Sequence, residues 1–598
     1  MPAIQKEKWL LYAKKADFAE IAAKFQIDPV IARILRNRGI VGEKAIRAYL
    51  HGGTESLNDP HRLRDADRAA DLLMSAIEEG SGIAIASDFD VDGIFSGELL
   101  YEGLKALGGR PQLFTPNRIS EGYGLNGRIV AQAFDAGCRT ILTCDNGIAA
   151  FAPIEMAKHM GMTVIVTDHH EIPFEEADGE KRCHLPAADA VVDAWQEDDT
   201  YPYKELCGTG VAYKLMQILY ERAGKPADEI EGFLDYAAIA TVADVMPLTE
   251  ENRVIVREGL KRLHQTTRPG LLALTQACGL TPEQISSYHI GFILGPSFNA
   301  SGRLATVETA FRLLQSQSKE EAQPYAEELR ALNAERKDLT KDGTDRAIAL
   351  IEASDRRDDP IFLVDLGDSN ESVSGIIAGR LREKYSRPVL VFANASEAGM
   401  VKASGRSIEA WNMFEELSSC RDLFTHFGGH AMAAGLTMKR DNLEELRQRL
   451  LAQCRLTASD LIPRIWIDCA MPFAYISEKL VDQLEILEPF GRGNEKPLFA
   501  VQHCRIRKMQ RIGRNQDMLK LILEQRGVRM DALYFGNADD FVDFLNREYG
   551  PRETSLAFQG LGAAMDIAVT YYPQMNEFQG RKSLQIVVQN YCRIAKKA

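Results

Sequence analysis

Three short β-branched runs, GIAIAS from Gly82, TILTC from Thr140 and TVIVT from Thr163, each end directly in acidic or imidazole residues. Helix-length segments such as 96–107 and 149–160 separate them. This alternation of period predicts a parallel sheet flanked by helices. Open α/β sheets bind ligands beyond the carboxyl ends of their strands, so the residues that follow the runs form the candidate site. They are Asp88, Asp90 and Asp92 in SDFDVDG, Asp145 in TCDNG, and Asp168, His169, His170 and Glu171 in TDHHE. A fourth segment, YAAIATVADVMPL, brings Asp244 after an apolar stretch that suits a helix or a strand equally.

Three carboxylates within five residues repel one another unless positive charge is supplied, and a divalent cation supplies it economically. For one Asp-rich loop alone, a solvated acidic turn is the competing reading. Adjacent histidines at a neighbouring strand end shift the balance toward a metal site. Carboxylates with one or two imidazoles are a hard oxygen and nitrogen set that suits Mn²⁺ or Mg²⁺ better than a thiolate-seeking metal. Four carboxylates are enough for two ions. Paired ions activate a water and stabilise both oxygens of an in-line phosphoryl displacement, so the chemistry indicated is phosphoester hydrolysis.

The remaining chain needs further domains, because 598 residues exceed the roughly 250–300 that a single core accommodates. Residues 1–78 read as a helical N-terminal cap, with Ile31, Ile34, Leu35 and Leu50 at amphipathic spacing. The catalytic α/β domain follows at 79–315. Residues 316–352 are charge-laced at helical period with no wide apolar face, the pattern of a connecting helix. DPIFLVDL and RPVLVFA, around the helix-like ESVSGIIAGRLREKY, define a smaller α/β domain at 353–460. Short β-like runs such as MLKLILEQ and LQIVVQNYC predict an OB-like β-barrel at 461–598.

A composition of 45% hydrophobic and 26% charged residues is that of folded globular domains and excludes a disordered or fibrous chain. No apolar run reaches the roughly 18 residues of a membrane span, and the N-terminus has no secretory pattern, so a cytoplasmic protein is expected. Ten cysteines without a C-x-x-C pair argue for reduced thiols rather than a zinc knuckle or disulfide scaffold. The net charge of −14 speaks globally against nucleic acid. Locally, however, Arg492–Arg529 holds ten basic residues against three acidic ones, a balance of +7. On a barrel such a stripe attracts a phosphate backbone, with Tyr534 and Phe535 available to stack on bases. A solvated basic face with core aromatics is the alternative.

SDFDVDG, TCDNG, TDHHE and ATVADVMPL resemble, in order, the four signature motifs of the DHH phosphoesterase superfamily. PNRISEGYGL at 116–125, GPSFNASGRL at 295–304, FGGHAMAAGL at 427–436 and LEPFGRGNEKPLF at 487–499 narrow the resemblance to the RecJ single-strand-specific exonuclease branch. RILRNRGI in the cap and the C-terminal barrel extend it over nearly the whole chain. The resemblance implies a DHH domain, a DHHA1 domain and an OB fold. It implies metal ligation by Asp90, Asp92, Asp145, His169 and Asp244, with Asp145 bridging two ions. It places His170 at the scissile phosphate and makes Asp88 and Asp168 orienting residues of the catalytic set. Phosphate contacts are implied for Arg303, Asn299 and Arg406, and for Gly428, Gly429 and His430, read as a small-residue turn that lets backbone N–H groups approach an anion. Gly122, Tyr123 and Gly124 are candidates for shaping the nucleotide pocket, Tyr123 being equally a candidate core aromatic.

Three departures stand out. An arginine of the family is Ser297 here, a Trp-His pair and a following glycine are Ser369, Asn370 and Ser372, and an Asn-Pro is Asp193-Ala194. The activity implied is 5′ to 3′ digestion of single-stranded DNA to mononucleotides in repair and recombination, by a monomer that works with a single-strand-binding protein and a helicase. Two rivals remain: a superfamily phosphodiesterase acting on small nucleotides or nanoRNA, and a catalytically inactive replisome scaffold.

Overall fold

The computed structural model describes residues 7–117, 121–177, 180–561, 564–578 and 580–594. Arg118–Ser120 of the 116–125 motif and the first six residues of the expected cap lie outside them. The chain divides into two compact units. The first comprises Leu57–Met246 and Glu251–Pro463, and the second comprises Glu7–Ser56, Pro247–Glu250 and the chain from Arg464 on.

The first unit is built on a five-stranded, all-parallel sheet. Its strands lie in the order Arg110–Phe114, Gly82–Ser87, Cys138–Cys144, Thr163–Thr167 and Ala190–Val192. The chain moves one way from its first strand and then returns to build on the other side. Gly82–Ser87 and Cys138–Cys144 therefore flank the topological switch point, where such sheets open a crevice. Register sharpens the effect: Ser87 pairs with Cys144, and Cys144 with Thr167, so three strands end level. Asp88, Asp145 and Asp168 leave the sheet side by side. Both sheet faces are covered, with Ile83, Ile85 and Leu142 in one core and Ala84, Ile141 and Val164 in the other, which explains the continuous apolar runs.

The helix Lys319–Ala353 runs 35 residues, about 50 Å at 1.5 Å per residue. Ser318 caps it by accepting the Glu321 N–H at 3.2 Å. Its buried residues, among them Ala322, Ala326, Leu329, Gly343, Ala347 and Ile351, form a narrow seam. The first part packs on Pro269–Ala277 and Gly295–Leu304, the last on Ser374–Tyr385. Beyond it lies a second, mixed sheet of five strands, in the order Phe424–His430, Ala433–Lys439, Met400–Arg406, Val389–Asn394 and Phe362–Asp365.

In the second unit, strands Phe499–Ile512, Met518–Gln525, Val528–Tyr534, Arg581–Arg593 and Asp566–Phe578 close into a barrel, because the first also pairs with the last. Third and final strands in chain order run parallel, and two helices, Ala538–Tyr549 and Pro551–Gln559, fill the connection after the third. This is the strand order of an OB fold.

The expected all-helical cap is corrected in two respects. Lys8–Leu11 is a strand, paired in parallel with Arg464–Ile467. The helices up to His51 share the barrel's core, with Ile31, Ile34, Leu35 and Leu50 against residues such as Leu484 and Leu487. Ala66–Glu78 instead packs into the parallel-sheet core. An amphipathic helix is stable only against another apolar surface, and these helices found two different ones. Among the described residues, no helix is long and apolar enough to cross a membrane. None of the ten cysteines, all among the described residues, is in a disulfide.

Candidate metal centre

Asp90 ends the first crossover loop as the N-cap of helix Val91–Ala106, its carboxylate accepting the Gly93 N–H at 3.1 Å. Asp92 sits in the first turn of that helix and is 1% exposed. Its two oxygens accept the N–H groups of Gly208 and Thr209 at 2.6 and 2.8 Å, and the Thr209 hydroxyl at 2.6 Å. The donors lie at the N-terminus of helix Gly208–Arg222, so the partial positive charge there faces the buried carboxylate.

Asp145 adopts a left-handed conformation, φ 61°, immediately after its strand. Its backbone carbonyl accepts the Tyr123 hydroxyl at 2.5 Å. Its carboxylate lies 3.0 Å from His169 Nε2, which is also 3.6 Å from Asp92 and 3.9 Å from Asp244. Helix Leu234–Ala243 settles the open reading of the fourth segment and presents Asp244 at its C-cap. The structure thus brings together Asp92, Asp145, His169 and Asp244. Two overlapping clusters have metal-ligand spacing, Asp145 with His169 and His170, and Asp92 with His169 and Asp244. Asp90 borders the same group, interacting electrostatically with Asp92, His169 and His170.

Electrostatics matches the donor set to a cation. Burial, reinforced by Asp92, Asp90 and Asp244, pushes the Asp145 carboxyl well above the usual carboxylate range. Burial and Asp92 likewise raise Asp90. Burial lowers His169, which favours the neutral imidazole, the form able to ligate a metal. Carboxylates gathered this closely without countercharge are what a divalent ion relieves.

Asp168 does not face this group as a ligand. It accepts the N–H of Ile148 at 2.9 Å, that of His169 at 2.8 Å, and the His170 ring at 2.8 Å. Burial alone would raise its pKa, yet His170 holds it below the ordinary value. In return, although burial opposes its charge, Asp168 lifts His170 to about 9. Asp88 accepts the Gly124 N–H at 3.3 Å. Gly124 also approaches Asn146, whose Oδ1 accepts the Leu125 N–H at 3.0 Å. Tyr123 is half exposed, its ring 5.7 Å from that of His170, so it borders the site rather than a core.

The anticipated substrate residues divide. Asn299 accepts the Val91 N–H at 3.2 Å and so braces the Asp90–Asp92 loop. Arg303 donates to the Ser372 carbonyl at 2.8 Å, across to the second sheet's domain. Asn370 accepts from the Ser372 N–H and hydroxyl at 2.9 and 2.7 Å, so two of the departures from the family pattern pair with each other. The Arg303 anchor uses only backbone there and is indifferent to the glycine-to-serine change. Ser297 is buried, its hydroxyl bound to the Ile293 carbonyl and to Asn333. Asp193 is buried too, and burial with Asp168 nearby raises it to about 8.

Gly428, Gly429 and His430 do not form a turn. They end strand Phe424–His430, where Gly429, φ 153°, passes so close to its partner strand that a Cβ would meet the Ala433 carbonyl at 2.4 Å. Arg406 ends the neighbouring strand but one, and Ala433 pairs with both it and His430. Its guanidinium packs against Gly375, and burial with Arg382 nearby lowers its pKa.

On the barrel five of the ten basic residues of the stripe pair with acids. Arg505 bonds Asp566, Arg511 bonds Asp539, Lys520 lies 3.5 Å from Asp531, and Arg507 and Arg529 share Glu524, drawing that carboxyl down to about 2. Asp531, Asp539 and Asp566 lie beyond the window that counted +7. Tyr534 is 9% exposed and packs on Phe541 and Tyr591, a core residue, whereas Phe535 is 56% exposed.

Sequence reasoning missed Gly208, Thr209 and Asn146. The glycines of CGTG were the available signal for the first two, and Asn146 stood in the quoted TCDNG.

Three family models match successive parts of the chain. The DHH family, N-terminal domain, matches residues 82–241, the DHHA1 domain residues 358–455, and the RecJ OB domain residues 467–590. The single-stranded-DNA-specific exonuclease RecJ of Bacillus subtilis (strain 168) is 33% identical over 588 residues, 98% of this chain and 71% of that protein. That of Escherichia coli (strain K12) is 32% identical over 587 residues, 94% and 96% of the two chains. The crystal structure of RecJ in complex with Mn²⁺ from Thermus thermophilus superposes with a TM-score of 0.81 at 26% identity, covering 99% of this chain and 80% of that one. With catalytic sheet, connecting helix, second sheet and barrel matched in one continuous alignment, the chain belongs to the RecJ family of single-stranded-DNA-specific exonucleases.

Proposed function

We propose that this protein degrades single-stranded DNA from the 5′ end to mononucleotides, using two Mn²⁺ or Mg²⁺ ions held by Asp90, Asp92, Asp145, His169 and Asp244. The observation that carries this reading is the convergence of His169 Nε2 on Asp145, Asp92 and Asp244 within 3.9 Å, at the switch point of a parallel sheet. A divalent pair supplies there the charge that acidifies a water and stabilises the attacking and leaving oxygens of a phosphoryl displacement. The chain's own groups do the positioning. Gly208 and Thr209 fix the Asp92 carboxylate by hydrogen bonds, Tyr123 pins the Asp145 backbone, and Asp168 fixes one nitrogen of His170 while the other lies 3.4 Å from the Tyr123 hydroxyl. Asn299 steadies the Asp90–Asp92 loop. Arg406, His430 and the two glycines offer cationic and backbone contacts to a phosphate from the second sheet.

The test is a strand labelled at either end, incubated with Mn²⁺ beside the matching duplex. Release of mononucleotides from the 5′ end of the single strand alone is expected. Asp145→Ala should abolish cleavage while retaining DNA binding, and a fully active Asp145→Ala protein would reject the metal assignment. Repair and recombination roles, a cytoplasmic location, a monomeric state, and partnership with a single-strand-binding protein and a helicase belong to the same proposal. Co-purification and sedimentation test the partnerships and the monomer.

A further inference from the structure

Beside the metal centre, a continuous helical stretch exposes two aromatic rings that the hydrolytic chemistry leaves unused. Ser287–His289 forms one α-turn, Ile290–Leu294 a wide π-turn, and Gly295–Leu304 continues as the helix carrying Asn299 and Arg303. Tyr288 and Phe292 project from it, 61% and 65% exposed, with ring centroids 4.9 Å apart and planes inclined by 29°. Single exposed apolar side chains are ordinary, but two large rings stacked on each other in water form a coherent flat surface. Isolated π-turns inside helices concentrate at functional sites.

Two glycines locate this surface. A Cβ at Gly291 would stand 3.6 Å from Val242, and one at Gly295 would stand 3.0 Å from Ala243. Val242 and Ala243 are the last residues of the helix that presents Asp244. At Gly295 the missing side chain lets the stretch lie close against that helix end, while Gly291 stands at ordinary contact distance from it, and Phe292 follows directly after Gly291. Asn299 comes seven residues later on the same helical stretch, where it holds the Val91 N–H of the metal loop. Arg303 is one turn further. Aromatic pair, amide and guanidinium thus follow one another along a single helical stretch that touches the helix presenting Asp244 and the loop of Asp90 and Asp92.

We propose that Tyr288 and Phe292 form a nucleobase-stacking step, which takes a base of the single strand next to the nucleotide being cleaved. The inference rests on the nuclease reading and deepens it. Every base has a π face, so the step is tolerant of sequence, but only an unpaired base is available to it, because duplex bases are already stacked. Strand selectivity then has a source in attraction to free bases.

The test measures steady-state hydrolysis by the full chain with Mn²⁺ on oligothymidylate and on an abasic strand with the same number of phosphates. Tyr288→Ala with Phe292→Ala should raise KM for oligothymidylate about tenfold and leave KM for the abasic strand unchanged. Tyr288→Leu with Phe292→Leu, which keeps apolar cover but removes the π faces, should behave like the alanine pair, and Tyr288→Phe should behave like wild type. An unchanged KM for oligothymidylate overturns the proposal, as does an equal rise on both strands. So does a variant whose only defect is loss of binding to another protein. A wild-type chain that cleaves neither strand overturns the nuclease reading itself.

Discussion

Gly208 lies so close to Asp145 that a Cβ at position 208 would stand 2.5 Å from the Asp145 Cβ and 2.8 Å from its Cα. The same glycine donates its N–H to Asp92. One residue therefore serves two carboxylates of the proposed metal centre, one by a hydrogen bond and the other by what it lacks. Gly208→Ala must displace Asp145, which already holds a left-handed conformation, or withdraw the helix N-terminus from Asp92. We expect activity to fall at least ~100-fold, because misplacement of catalytic groups by ~1 Å has that effect, and stability to fall by about 1–3 kcal/mol from overpacking. Gly210→Ala is the control, since its nearest contacts are Leu206 side-chain atoms at 3.3 Å or more. Similar kcat values for the two variants would refute the spatial argument.

Asp168 is positioned to act through its neighbour. Asp168→Asn keeps the side chain's size and one of the two oxygens that accept the Ile148 and His169 N–H groups, and it removes the charge that orients His170. The expected result is a 10- to 100-fold lower kcat with KM and Mn²⁺ affinity nearly unchanged. A collapse of Mn²⁺ binding, read by calorimetry, would instead make Asp168 a ligand.

Glu98 predicts a pH signature away from the site. It is fully buried on helix Val91–Ala106, with one oxygen accepting from Gln315 at 2.8 Å and the other without a hydrogen-bond partner among the described residues. Burial raises its pKa from 4.5 to about 8. The folded state therefore holds a proton that the unfolded state has lost, so this group's contribution to stability declines as pH rises from about 4.5 to about 8. Glu98→Gln removes the decline and should gain on the order of 2–4 kcal/mol over wild type at pH 8.5, with a much smaller difference at pH 4.5. Melting curves across that range check it, and a pH-independent offset between the proteins would contradict the assignment.

Lys214 and Glu251 form an ion pair of 2.6 Å whose side chains are 0% and 1% exposed. Asn58 and the Tyr201 hydroxyl complete the bonds of Glu251. Lys214→Met strands a buried carboxylate and should cost about 3 kcal/mol or more. Adding Glu251→Gln should recover part of that loss. Urea midpoints of the single and double variants give the coupling directly, and additive losses would show that the charges do not depend on each other.

The legible part of this protein was whatever depends on local periodicity. Strand runs ending in acid, the sheet they form and the connecting helix follow from repeats of two and 3.6 residues, which a window of the chain contains entirely. Candidate residues were legible by type as well: Asp145 and His169 could be named from carboxylate and imidazole at strand ends, and Asp244 from an apolar segment that forms a helix.

What the chain alone withheld was every property that depends on a distant partner. A charge count over Arg492–Arg529 could not include Asp539 and Asp566, which neutralise Arg511 and Arg505 from elsewhere in the barrel. Tyr534 looked like a stacking residue until Phe541 and Tyr591 closed over it. The donors to Asp92 lie 116 and 117 residues away, and the amphipathic helices near the N-terminus carry no sign of which core they join. Residue types and their local order determined which side chains could hold metal and where strands would end. Only tertiary structure decided which charges cancel, which rings meet water and how the carboxylates share one point, because Coulombic and packing energies depend on distance in space and not on separation along the chain.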